Sequence, residues 1–319
     1  MASFDLTKID ELRAQFAREG FLVLEGYFSA ERVDALNAEV VRLLADQPLE
    51  VVVDSRITAQ RTWWADTPYR ETERFKFNDL YLLSATVRDV ALDAPLSALL
   101  GALLGEPAVL CNSLNFKKGS SDHVHIDSLF MTPRTPGSLA ATWTALEDVH
   151  PDAGPLTYFP GSHLIPLYRF SDGSRHAIRS EMPVWLEHIT AQLRERGIEE
   201  KVFLAKKGDV FIWHSDLVHA GSPIKDLQRT RTSLVCHYYG EADARALGGD
   251  LVPHHAGHWM RRLGQPVLVP PEVFMAGRRF PEENYLQRYP DVRAAVEAGA
   301  LKSGWHHYEL CGFKEGRGI

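Results

Sequence analysis

Apolar side chains recur at two different periods along this chain, and the change of period divides it. Near the start the spacing is helical: Ile9, Leu12 and Phe16 share a face that opens with Thr7 and Asp10 in a capping-box arrangement and stops at Gly20. Residues 21–28 (FLVLEGYF) read as a strand. Ser29 then caps a second helix with the stripe Val33, Leu36, Val40, Leu43 and Leu44. Residues 92–104 predict a third, buried helix.

Beyond Glu106 the pattern shortens to strand-like runs at 108–116, 123–131, 139–149 and 154–163. Lys118-Gly119, Pro136-Gly137, residues 152–154 and Pro160-Gly161 separate them as turns. Residues 164–200 interrupt the series with a helical stretch at 182–197, the natural position for a lid over a cavity. Strands resume at 202–214 and 231–240. Many short strands behind a helical N-terminal layer predict a mainly β chain with flanking helices, a two-sheet jelly roll of cupin-like form. Residues 51–77 hold no period and interleave Arg56, Arg61, Trp63, Trp64, Arg70, Arg74 and Lys76. They read as a surface loop whose tryptophans fill the core, or as a flap that meets substrate.

The 319-residue length suggests one large domain and an appendage. Residues 1–265 are expected to form the main domain, 266–282 (beginning PVLVPP) a linker, and 283–319 a small C-terminal helical module around Leu286, Val292, Val296, Leu301 and Tyr308. A formal net charge of -7 argues against a nucleic-acid surface. Three widely spaced cysteines imply no disulfide framework, and neither a leader nor a membrane-length apolar run is evident. A reducing cytoplasm is the expected location.

Candidate chemistry concentrates in residues 123–127 (HVHID). On an extended strand alternate side chains share a face, so His125 and Asp127 project together. With His219 from a later strand they make a set of two histidines and one carboxylate, which leaves half of an octahedral Fe(II) sphere open. An isolated H-x-D is common by chance. Here Arg231 follows His219 by twelve residues and leads into the apolar run 233–239. A metal, a chelating 2-oxo acid and an arginine for the acid's far carboxylate need these parts.

The residues 125–127 (HID), 142–163 (TWTALEDVHPDAGPLTYFPGSH) and 208–223 (GDVFIWHSDLVHAGSP) resemble the phytanoyl-CoA dioxygenase family, and the likeness runs over roughly residues 8–245. It implies a double-stranded β-helix core and an Fe(II)- and 2-oxoglutarate-dependent dioxygenase that uses O2, hydroxylates a small organic molecule and releases succinate and CO2. His125, Asp127 and His219 would be both the metal ligands and the catalytic centre. Arg231 would hold the distal carboxylate of 2-oxoglutarate, with Arg229, two residues earlier on the same face, as its rival. Ser233 would add a hydroxyl, and Trp143 and Asn112 would also contact the cosubstrate. Asp127 favours hydroxylation over halogenation; desaturation and ring formation stay open.

Two other readings compete. One is a metal-binding jelly roll without oxygenase activity that serves as a binding or assembly module; the other is a cupin-like isomerase, in which Arg231 has no evident task. Arg56, Arg61 and Arg70 favour an anionic small-molecule substrate. The tail is similar to a short helical module appended to diverse bacterial proteins. That implies a bacterial source and leaves open docking or homo-oligomerisation through the module.

Overall fold

The structure is a computed structural model that describes residues 8–262, except 47, 49, 57–60, 65, 66 and 68–73, together with 280, 282–312, 315 and 317. The elements α1 (Ile9–Glu19), β1 (Phe21–Leu24) and α2 (Ala30–Ala45) open it. Gly20 ends α1 in the left-handed conformation (φ 79°), where an added Cβ would lie 2.4 Å from His163, and the Ser29 side chain caps α2 by accepting from the Arg32 N–H. Thr7 lies outside the described residues, and Lys8 stands at the N-cap of α1 without a side-chain cap.

Residues 51–77 depart from the expected loop. They contain β2 (Val52–Ser55), β3 (Arg61–Trp63) and β4 (Phe75–Asn78), antiparallel strands at one edge of the large sheet. These strands, of three or four residues with one charge in each, are too short for a period of two to show. Trp64 joins the core with Phe75 and Phe77, and its indole N–H donates to the Leu44 carbonyl at 2.7 Å. After α3 (Ala85–Ala91) and α4 (Ala94–Leu104) come β5 (Ala108–Phe116), β6 (Leu139–Ala145), β7 (Leu156–Tyr158), α5 (Met182–Glu195), β8 (Lys201–Phe203), β9 (Val210–His214), β10 (His219–Gly221), β11 (Ser233–Gly240), β12 (Asp250–His254) and β13 (Gly257–Arg261).

The large sheet runs β1-β9-β6-β11-β5-β4-β2-β3, with the β12–β13 hairpin joined to β5; the small sheet runs β10-β7-β8. The pleat sorts side chains between two cores. On β9, Val210 and Ile212 face the helices with Phe16, Val33, Leu36 and Leu99, whereas Phe211 and Trp213 face the small sheet with Trp143, Leu156 and Val235. The strand β6 (LAATWTA) is buried on both faces, as a central strand of such a sandwich requires. Two facing sheets with helices outside the larger one give the expected double-stranded β-helix.

The run 123–131 is not a strand. Only His125 pairs, in an isolated antiparallel bridge with His219. From Asp127 the chain turns into a single 3-10 turn, because the N–H groups of Phe130 and Met131 return to the Asp127 carbonyl. Ile126 and Leu129 are thereby directed under the inserted helix α5, against Trp185, Ile189 and Leu193. Within 154–163 only Leu156–Tyr158 is strand.

Residues 263–279 and 281, which take in most of the expected linker 266–282, lie outside the described residues. Phe280, at the end of that linker, joins Tyr285, Leu286 and Val292 in a separate apolar cluster with Val296, Leu301, Trp305 and Tyr308 packed on it. Among the described residues no helix is long and apolar enough to cross a membrane.

Candidate metal centre

One bridge and one turn assemble the predicted trio. His125 and His219 exchange both backbone hydrogen bonds at 3.0 Å, and residues directly opposite one another in an antiparallel pair point to the same face. Their imidazole centroids stand 4.3 Å apart. The 3-10 turn then swings Asp127 beneath them, with Oδ1 at 3.8 Å from His125 Nε2 and 3.7 Å from His219 Nε2.

Each imidazole is oriented by a carbonyl two residues upstream. Nδ1 of His125 lies 2.7 Å from the His123 oxygen, and Nδ1 of His219 lies 2.9 Å from the Leu217 oxygen. A carbonyl only accepts, so both Nδ1 atoms carry a proton and Nε2 is the ring nitrogen that each turns toward Asp127. Burial, and after it His125, pushes the His219 imidazole down to about 4, which keeps that ring neutral near pH 7. Burial alone would raise the Asp127 carboxyl; His219, His237 and His125 together outweigh it and hold the group well below the usual carboxylate range. The site therefore presents two imidazole nitrogens and one anionic oxygen. Their ligand atoms all lie within 4.8 Å of one another. Adjacent ligands at about 2.1 Å from an octahedral ion stand about 3 Å apart, so the set meets that requirement with an inward movement of less than an ångström.

The second oxygen of Asp127 is held from behind. The Trp213 indole N–H donates to Oδ2 at 2.7 Å, and His237 Nε2 lies 3.5 Å from the same atom. His237 lies in the apolar run 233–239 that follows Arg231, and Trp213 in the stretch 208–223. The available signal was its alternation with Phe211 on β9, which puts it on the inner face.

Arg231 lies on the approach to β11, buried to 3% exposure, with Nη1 donating to the Gly154 carbonyl at 2.9 Å. Burial draws the guanidinium down to about 10, against the opposing pull of Asp122 and Glu147, so it stays cationic at neutral pH. Its carbon sits 5.6 Å from the centre of the Trp143 ring. Arg231 Nε, Trp143 Nε1 and Ser233 Oγ are all buried without a hydrogen-bond partner. An unpaired buried donor costs about 1–3 kcal/mol, so three of them on the inner face fit a carboxylate-bearing ligand. Arg229, the rival, precedes the strand, is partly exposed and pairs with Asp226 at 3.2 Å.

Asn112 is engaged at both ends of its amide, by Asp79 and by His237 at 2.9 Å each. His123 is exposed, and His214 packs between Phe16 and His163 away from the trio. His254 and His258, at helical spacing in the chain, stand instead on the β12–β13 hairpin. On and beside the edge strands β2, β3 and β4 the cations are paired: Arg56 with Asp122, and Arg61 and Lys76 with Asp54 at 2.6 and 3.2 Å. Arg70 lies outside the described residues. These pairs remove most of the Coulombic argument for an anionic substrate.

A sequence profile of the phytanoyl-CoA dioxygenase family matches residues 16–232. The ectoine dioxygenase of Nocardia farcinica is 26% identical over 226 residues, which span 66% of this chain and 72% of that protein. Phytanoyl-CoA dioxygenase 1 of Oryza sativa subsp. japonica is 26% identical over 239 residues, spanning 66% and 82%. Among solved structures, the epimerase SnoN in complex with Fe3+, alpha ketoglutarate and nogalamycin RO is similar with a TM-score of 0.56 at 23% identity, covering 81% of this chain and 100% of that one. At that identity the structural likeness speaks for the fold.

Proposed function

The chain belongs to the phytanoyl-CoA dioxygenase family, and from that premise we propose that it is an Fe(II)- and 2-oxoglutarate-dependent oxygenase. In this reading His125, Asp127 and His219 hold the iron, and Arg231 holds the far carboxylate of 2-oxoglutarate. The supporting observation is that two unlike donor sets occur on the side of the large sheet that faces the small one. Two imidazoles with committed Nδ1 protons face one carboxylate oxygen, and buried donors lacking partners stand around Arg231. Neither set is readily explained as core packing.

Iron with 2-oxoglutarate would supply activation of O2 for oxidation of an unactivated C–H bond, with succinate and CO2 as coproducts. The chain's residues do the rest. Arg231 matches a carboxylate with a rigid, permanently charged fork, and its Nε is free for that contact. Trp143 walls the same space and offers its indole N–H, and Ser233 offers a hydroxyl. Helix α5 seals the back of the Asp127 turn through Trp185 and Ile189, which keeps water from that side. The substrate is a small organic molecule and the reaction a hydroxylation, the outcome Asp127 favours by keeping a carboxylate on the metal. Residues 283–319 serve as a separate docking module outside the oxygenase domain, residues 1–265.

Anaerobic addition of Fe(II) and 2-oxoglutarate to the full-length protein should produce a weak visible charge-transfer band, and admission of air should yield succinate. Asp127→Ala and Arg231→Ala should each lose the band at the same ligand concentrations. Absence of the band from the wild-type protein would reject the reading.

A further inference from the structure

The β12–β13 hairpin brings two histidines against helix α3, on the side of the large sheet turned away from His125, Asp127 and His219. We propose that Asp89, His254 and His255 form a second metal site, independent of that trio, for a divalent transition cation of the zinc class. The cation would clip the tip of the hairpin to α3.

The pleat decides which histidines can take part. In the hairpin Leu251 pairs with Met260, Val252 with Trp259, Pro253 with His258 and His254 with Gly257. Residues opposite one another share a face, and successive residues alternate between faces. Leu251 and Met260 belong to the cluster with Val109 and Tyr239, so His258 lies on their side. His254 falls on the other side with Trp259, which packs on the helix-facing core. There the Arg88 guanidinium of α3 lies 4.7 Å from the centre of the Trp259 ring, and the next residue of α3, Asp89, meets His254.

The turn supplies the third member. Only His255 and Ala256 separate the paired residues His254 and Gly257. The left-handed residue of such a two-residue turn is usually Gly, Asn or Asp. Here His255 takes it with φ 50°, and its side chain is 46% exposed, so packing does not account for a histidine at this position. The rings of His254 and His255 stand 4.5 Å apart and 69° from parallel.

The ligand atoms are spaced for an ion they share. His254 Nε2 lies 2.9 Å from Asp89 Oδ1, and His255 Nε2 lies 4.0 Å from the same oxygen. At 2.9 Å a hydrogen bond is expected, yet Nε2 of His254 is buried without a hydrogen-bond partner. The oxygen therefore stands off the axis along which that ring nitrogen donates or accepts. A shared ion demands such an offset: with both ligands about 2.1 Å from the metal, the oxygen lies about 45° off the nitrogen's axis. Ligands of a tetrahedral ion stand about 3.3 Å apart, a value that the observed 2.9 and 4.0 Å bracket. Two imidazoles and one carboxylate suit zinc, whereas calcium and magnesium prefer oxygen alone. Asp89 is exposed, so a water can take the fourth position.

The fold gives such a clip something to do. The strand β13 pairs with β5 through only two residues, His258 and Trp259. A cation between the hairpin tip and α3 adds a hold that the sheet does not provide.

Equilibrium dialysis of the metal-free, full-length protein against micromolar Zn(II) tests the site by difference, which cancels binding by other histidines. Asp89→Ala and His255→Asn alter exposed side chains, and asparagine tolerates positive φ, so both variants keep the fold. Each should bind one equivalent fewer than the wild-type protein. Each should also lose part of the rise in thermal midpoint that Zn(II) gives the wild type. A Zn(II) count equal to that of the wild type in either variant would overturn the proposal and leave an ordinary pairing of His254 with Asp89. Asp127→Ala reports on the trio alone, so failure of one site is read apart from failure of the other.

Discussion

The Trp213 indole N–H reaches Oδ2 of Asp127 at 2.7 Å, and this one bond selects which oxygen of the carboxylate faces the two histidines. Trp213 comes from β9 and Asp127 from a turn 86 residues earlier. A rigid strand thus disciplines a short 3-10 turn that has little pairing of its own. Trp213→Phe keeps the ring in the core and removes only the donor. Loss of one hydrogen bond to a charged group costs about 1.5–3 kcal/mol. Metal affinity is expected to fall about tenfold or more, with a moderate drop in thermal midpoint, as read by Mn(II) titration and calorimetric melting. An unchanged metal affinity would show that the turn holds Asp127 without help.

Arg231 and Arg229 make opposite predictions although they stand two residues apart. Arg231 is buried with an unsatisfied Nε, and a lysine there could not reproduce the fork. Arg231→Lys should raise the KM for 2-oxoglutarate about 10–100-fold, the equivalent of one charge-assisted contact. Arg229 spends its charge on Asp226 near solvent, so Arg229→Lys should leave that KM within twofold. Steady-state succinate formation against 2-oxoglutarate concentration checks both. Equal effects from the two variants would reject the assignment of the carboxylate partner.

What was legible in the chain depended on how local the signal was. His125 and Asp127 could be paired from their spacing alone, and the stretch around His219 carried its partner. Yet the reason first given, a shared strand face, was wrong in form: the two come together because a bridge ends and a turn begins at Asp127. The strands β2, β3 and β4 escaped notice because three or four residues are too few to establish a period of two. Asp79 and Arg262 were invisible for another reason. Their bond spans 183 residues, and no local pattern marks either as a partner of the other. By contrast β5 and the helix α4 were read closely, because each is a run of nine or more mostly apolar residues.

Acid should loosen the protein before its carboxylates titrate. Burial lowers the affinity of His163 and His214 for protons, and His214 is lowered further by His163, although Asp216 opposes it. In the metal-free protein His219 adds to this, its ring pushed down to about 4. Each folded-state value lies below the unfolded value near 6.5, so between the two the unfolded chain binds more protons. Stability therefore rises with pH through this window and falls as pH drops below about 6.5. Urea midpoints of the metal-free protein should decline between pH 7.5 and 5. His163→Gln should shallow the decline, since its loss also relieves His214. A flat midpoint across that range would contradict the burial of these rings.

The inserted helix α5 is best tested at Trp185, which is 1% exposed and packs against Ile126 and Leu129 on either side of Asp127. Truncating a buried tryptophan costs about 3–5 kcal/mol when the site cannot collapse, and here the neighbours include the turn that carries the carboxylate. Trp185→Ala should therefore lower the thermal midpoint and also weaken Mn(II) binding, whereas Trp185→Phe should recover most of both. The exposed face of the same helix offers the control. Leu186 is 40% exposed, and Leu186→Ala should change neither quantity appreciably. If Trp185→Ala lowers the midpoint but leaves metal affinity unchanged, α5 is a stabilising cover with no hold on the metal centre. If the two fall together, the insertion acts on the site through the two residues that flank its carboxylate.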